Sequence, residues 1–235
     1  MLAAQGRLEE TLPVLEKALA LLPSDAETHN TLGDALQGLE RLSEAETSYR
    51  CAIEFKPDYY DACNNLGNVL RRLQRYEEAL AAYEKAIALR PEFAEAHHNR
   101  GMIFAHLENP EQAMAAFGHA LALRPELPEP RFGNALISLA QGDLETADAE
   151  MEKLWIQHTV PEMHRTYARL LEKTARQLRR QGRKEEAKRY REKARWAWVR
   201  SGSGMLTKEQ ADAMREEVRR MREGWEKRLE RQWTL

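Results

Sequence analysis

At 235 residues, with 43% hydrophobic and 31% charged side chains, the chain can bury a core and keep a well-solvated surface, as one domain or two. No apolar run approaches the about 20 residues that span a bilayer, which excludes insertion into a membrane. The net charge of −2 hides a division: residues 1–160 carry 14 basic and 26 acidic side chains, and residues 161–235 carry 22 and 12. Such a split suits different partners for the two halves, or contact between them.

In chain order, Met1-Leu2-Ala3-Ala4 leads at once to Gly6-Arg7-Leu8-Glu9, so no secretory signal is expected and the location is read as cytoplasmic. Residues 1–25 read as a partial first repeat, mostly its second helix. Gly6 falls in a turn position, and Thr11, Leu15 and Ala18 fill the helix that follows.

From Ala26 onward the sequence repeats every 34 residues without gaps, in units 26–59, 60–93, 94–127 and 128–155. Gly33, Gly67, Gly101 and Ala135 share one position, and Ala45, Ala79, Ala113 and Ala147 another. Tyr49, Tyr83, Phe117 and Met151 share a third, and Pro23, Pro57, Pro91 and Pro125 close the units. Within one unit, Ala62, Cys63, Leu66, Val69, Leu70 and Leu73 form a helical stripe. Gln74-Arg75 makes the turn, and Ala79, Tyr83, Ala86, Ile87 and Leu89 form a second stripe. Gly67 and Ala79 are small where helices must approach, Tyr83 fills the space left open, and Pro91 stops the second helix. Cys51 and Cys63 occupy packing positions and read as small buried hydrophobes.

After Trp155 the period fails. The next unit starts at Ala168, 40 residues after Pro128, which places about six inserted residues around Gln157–His164. Residues 156–200 read as a degenerate helical pair: Leu171, Ala175 and Leu178, a turn at Gly182, then Ala187, Tyr190, Ala194 and Trp198. Residues 201–235 read as a loop followed by an amphipathic helix capped by Thr207 and Gln210. Trp196, Trp198, Met214, Val218, Met221 and Trp225 are the candidate tail docking surface, either as a cap on the last repeat or as a seam to another chain.

These positions resemble the tetratricopeptide repeat, of bacterial type, and are similar to the repeats that precede O-linked N-acetylglucosamine transferases. The resemblance implies an all-α, right-handed superhelical solenoid of helix-turn-helix repeats with a helical C-terminal extension. It also implies that the first helices line a concave groove. The groove positions then hold Asn30 and Asp34, next Asn64, Asn65, Asn68 and Arg71, next His98, Asn99 and Met102, and last Phe132. Amides both donate and accept, which suits the backbone of an extended peptide. The carboxylate clamp of chaperone-binding relatives is excluded, because no lysine stands among Asn30, Asn64, His98 and Phe132, and Asp34 repels a carboxylate. In the transferase relatives an asparagine ladder holds peptide backbone; here Thr31, Asn65, Asn99 and Gly133 leave two of four rungs.

The expected function is a non-catalytic adaptor that binds a protein or peptide segment in the groove. The alternative is a structural or assembly subunit of a larger complex, docking through its ends and C-terminal helix or self-associating; RNA binding through the basic tail is a third, less favoured reading. No phosphate loop, zinc motif or catalytic constellation is present, so no enzyme activity, cofactor or metal is expected. Glutamates interleave with the arginines of the tail, which weighs against nucleic acid.

Overall fold

A computed structural model describes residues 2–157 and 161–201. Among these residues there are eleven helices and no strand. They fall into two units, Met1–Gly142 and Asp143–Leu235.

Unit 1 contains α1 (Leu2–Leu21), α2 (Ala26–Gly38), α3 (Leu42–Phe55), α4 (Tyr60–Arg72), α5 (Tyr76–Leu89), α6 (Ala94–His106), α7 (Pro110–Leu123) and α8 (Pro128–Ala140). Helices α2 and α3, α4 and α5, and α6 and α7 are the pairs of three repeats. Each second helix also packs on the next first helix, so burial passes from neighbour to neighbour.

Helix ends follow a fixed chemistry. Glu40, Gln74 and Glu108 sit in the left-handed region at φ 62°, 61° and 55°. The next residue's amide then reaches back five residues: Arg41 to Leu36 O, Arg75 to Leu70 O and Asn109 to Phe104 O, each at 2.9 Å. This is the six-to-one bond of a Schellman ending, which satisfies carbonyls that a helix end leaves open. Gly182 repeats the geometry in unit 2, with φ 81° and the Arg183 amide 3.0 Å from Leu178 O.

Gly6 does not make the expected turn. Helix α1 runs through it, from Leu2 to Leu21.

The core is a column of rings in glycine notches. A Cβ on Gly33 would lie 2.6 Å from Tyr49 Cε1, and one on Gly67 would lie 2.6 Å from Tyr83 Cε1. Phe117 fills two notches, at Gly101 and Gly133. Ala45, Ala79 and Ala113 are fully enclosed beside these rings. Cys63 is buried and its thiol is pushed up by that burial, whereas Cys51 is only half-buried, contrary to expectation; both are free thiols.

Unit 2 contains α9 (Leu144–Gln157), α10 (Pro161–Arg180) and α11 (Lys184–Arg200). Helix α10 packs on α11, and α11 also meets α9. Leu171, Ala175, Leu178, Ala187, Tyr190, Ala194 and Ala197 form the buried seam. Part of the inserted length is helical: α10 begins seven residues before Ala168 and buries His164 and Tyr167 in its added turns. The candidate residues Met214, Val218, Met221 and Trp225, and the capped helix assigned to them, lie outside the described residues.

Candidate functional site

Helices α2, α4, α6 and α8 touch in sequence along unit 1 and share one face. On that face Asn65 Nδ2 donates to Asn30 Oδ1 at 3.3 Å and to Asp34 Oδ1 at 3.2 Å. One repeat further, Asn99 Nδ2 donates to Asn64 Oδ1 at 3.0 Å. The two rungs are therefore diagonal, each joining adjacent positions on consecutive repeats. Thr31 turns back to its own helix, donating to Glu27 O at 2.9 Å. Gly133 supplies no rung, and the space beside it belongs to the Phe117 ring.

The bonds divide the asparagines into two roles. Asn30 and Asn64 are 8% and 7% exposed, so they act as anchors for their neighbours. Asn65 and Asn99 stay half-buried, with orientations fixed by those anchors.

Asp34 is the most elaborated group on the face. It accepts from Tyr49 Oη at 2.7 Å, from Asn65, and from Asn30 Nδ2 at 3.3 Å. Burial raises its carboxyl above the ordinary carboxylate value; the Tyr49 bond opposes this and the charge of Asp61 adds to it. In the next repeat Tyr83 Oη donates to Asn68 Oδ1 at 2.9 Å. Burial pushes the Tyr83 phenol up to about 12, with the nearby Arg71 charge pulling it down.

His98 packs against Phe117 with ring centres 5.5 Å apart and the ring planes tilted by 31°. Burial lowers its pKa, and Arg71 adds to the lowering against the charge of Glu129. Met102 is 41% exposed and Phe132 is half-buried, so this end of the face is apolar.

The hydroxyls of Tyr49 and Tyr83 were read from sequence only as ring volume. A second missed device links repeats at their ends. His29 Nε2 lies 2.8 Å from Pro23 O, His97 Nε2 lies 2.9 Å from Pro91 O, and Arg131 Nη2 donates to Pro125 O at 3.0 Å. Carbonyls only accept, so both histidines carry their proton on Nε2. The signal was a donor side chain six residues after each proline; Cys63 occupies the remaining case.

In unit 2, Trp198 Nε1 donates to Glu172 Oε1 at 2.8 Å, so this ring meets α10, and Trp196 is half-buried. Among the described residues no three His, Cys, Asp or Glu side chains converge as metal ligands would. None of the described helices is long and apolar enough to cross a membrane.

Family models agree with this architecture. Models described as tetratricopeptide repeat match residues 26–59 and 94–127, and one described as TPR repeat matches 67–108. These units are tetratricopeptide repeats. No curated protein sequence is significantly similar to the chain.

Among solved structures, PilF of Pseudomonas aeruginosa is similar with TM-score 0.68 and 21% identity over 92% of each chain. YrrB, described as a TPR protein with an unusual peptide-binding site, has TM-score 0.61 and 22% identity, covering 78% of this chain and 91% of its own. TTC0263, a thermophilic TPR protein of Thermus thermophilus, has TM-score 0.60 and 27% identity, covering 72% and 93%. The likeness to these proteins is that of an all-helical repeat solenoid. In this setting the tetratricopeptide first helices supply the ladder, and the second helices supply the rings that hold Asp34 and Asn68.

Proposed function

We propose that the tetratricopeptide repeats of unit 1 hold an extended segment of a partner protein along the face of α2, α4, α6 and α8, as a non-catalytic adaptor. The observation that carries this reading is the pair of rungs, Asn65 on Asn30 and Asn99 on Asn64. An ordered amide loses little side-chain entropy when a peptide backbone binds to it. Asp34, Asn68 and Arg71 would then meet polar parts of the segment, and Met102 and Phe132 its apolar side chains. YrrB, a structural neighbour described by its peptide-binding site, supports the same reading.

The test places a photo-reactive residue at Met102 in the full chain, maps the partner it captures, and repeats the capture with N65A and N99A combined. Adducts at Met102 that fall by about tenfold in the double variant support groove recognition. Capture of the same partner at unchanged yield by the double variant would overturn it.

A second reading has its own observation. Val14, Leu21 and Leu22 on and after α1 are 65%, 85% and 60% exposed, a ready contact for a neighbouring subunit. On that reading the protein is an assembly subunit; PilW, a neighbour described as a type IV pilus biogenesis factor, is similar with TM-score 0.64 and 24% identity. Loss of the partner on V14D with L21D, and retention with N65A and N99A, would select it.

A further inference from the structure

Several arginines elsewhere among the described residues are matched to acids. Arg41 pairs with Glu44, Arg75 with Glu46 and Glu78, and Arg183 with Glu186; Arg124 pairs with Glu95 and Glu126. Helix α10 pairs Arg165 with Glu162 near its start, and one face beyond that pair differs. Arg169, Lys173, Arg176 and Arg180 follow one another at steps of four, three and four, and all are exposed. They share one helix face and extend over about 16 Å of its axis.

Among the described residues Arg169, Lys173 and Arg180 have no carboxylate partner. Arg176 has only Glu172, at 3.5 Å. That carboxylate is engaged on its other oxygen by the Trp198 indole. With Gln177 these side chains line a shallow trough of about 470 Å³.

Charge accumulates around the trough. From Pro161 to Arg200 there are 14 basic and five acidic side chains, a net of +9. Residues 202–235 carry eight basic and seven acidic side chains, so the end of the chain does not neutralise it. Helix α10 itself carries six basic and two acidic side chains of this total, and four of the basic ones aligned on one helix face offer a docking surface for negative charge.

We infer that the α10 trough binds an acidic segment of a partner protein, apart from the face proposed above. Three features favour carboxylates over nucleic acid. Guanidinium forks take carboxylates in bidentate pairs, and the arginine and lysine stems offer apolar surface to a helix lying beside them. Among the described residues no aromatic side chain lines the trough itself, and the nearby Trp198 indole is engaged by Glu172, so the trough offers no stacking platform for a base. Glu172 interrupts the stripe, which a continuous phosphate backbone would have to cross, whereas spaced carboxylates pass either side of it. The complementary segment is a helix with acids at the same four-three-four steps, about three turns long.

The probe is a labelled alanine-based peptide with glutamates at those four positions, measured by fluorescence anisotropy with the full chain at low and moderate salt. Controls are a peptide of the same composition with its glutamates consecutive, and an oligothymidylate of equal charge. One variant combines R169Q, K173Q, R176Q and R180Q; a matched variant combines K184Q, K188Q, R191Q and R195Q, equal in charge but on α11. The expected result is preference for the stepped peptide, lost by about tenfold in the α10 variant and kept in the α11 variant. Equal loss in both variants would reduce the trough to net charge and overturn the inference. So would tighter binding of the oligothymidylate, or equal binding of the consecutive peptide. Self-association that the α10 variant abolishes would overturn it as well, in favour of a second copy of this chain. None of these outcomes depends on Asn65 or Asn99, so the two proposals fail separately.

Discussion

Tyr49 donates its hydroxyl to Asp34 at 2.7 Å, joining the second helix of a repeat to the candidate face of its first. Tyr83 and Asn68 repeat the bond in the next unit, and the third unit carries Phe117 and Met102 at the same positions, without donor or acceptor. Ring and face residue thus change together within one chain. A buried hydroxyl needs an acceptor, and where the face turns apolar the hydroxyl is absent.

Removing one partner of this bond is the direct test. Tyr49→Phe keeps the ring in the Gly33 notch but takes a donor from Asp34. We expect a loss of about 1–2 kcal/mol in stability, read as a lower urea midpoint. Tyr83→Phe combined with Asn68→Met copies the third unit and should cost less than Tyr83→Phe alone. Equal losses would refute the pairing.

Two glycines with opposite surroundings make a matched comparison. Gly67→Ala drives a methyl to 2.6 Å from a Tyr83 ring that is fully enclosed, so it should destabilise by about 1–3 kcal/mol. Gly118, inside α7, has nothing within 4 Å of the added methyl. There Ala should stabilise by about 0.5–1 kcal/mol through helix propensity. Thermal melts of the two variants should shift in opposite directions.

Gln74 carries its left-handed backbone at φ 61° with a side chain that disfavours it. Gln74→Gly should raise stability by about 1 kcal/mol with no change in helix content by circular dichroism. A decrease would mean that the side chain contributes more than the strain removes.

Acid should weaken unit 2 through His164. Its ring is 1% exposed, neither nitrogen has a hydrogen-bond partner among the described residues, and burial, with the charge of Arg200 adding, lowers its pKa to about 4 from 6.5. The folded state therefore favours the neutral ring. Its stability is complete above the unfolded value of 6.5 and is lost as the pH falls towards 4. The change is of the order of 3 kcal/mol. His164→Leu should flatten this part of the pH profile and leave the protein at least as stable near neutrality. An identical slope in the variant would assign the acid sensitivity to carboxylates instead.

The repeats were legible because a solenoid unit meets only its neighbours, so 34 residues must restate the whole packing problem each time. Gly33, Gly67 and Gly101 opposite Tyr49, Tyr83 and Phe117 carry that statement in residue size alone. The candidate face was legible as a set of aligned positions. Its division of labour was not: Asn64 and Asn65 are neighbours of one type, yet one is a buried anchor and the other an oriented amide.

Residue spacing by itself determined the helix pairs, their turns and the notches for the rings, because volume and periodicity act over one or two turns of a helix. Contacts between repeats decided the rest. The diagonal rungs, the histidine and arginine bonds to proline carbonyls, and the bond from Trp198 to Glu172 depend on rotamers and on distances between helices, which periodicity does not encode. Part of the 40-residue spacing after Pro128 became added turns on α10 because His164 and Tyr167 could be buried there. That burial exists only once the helices have packed.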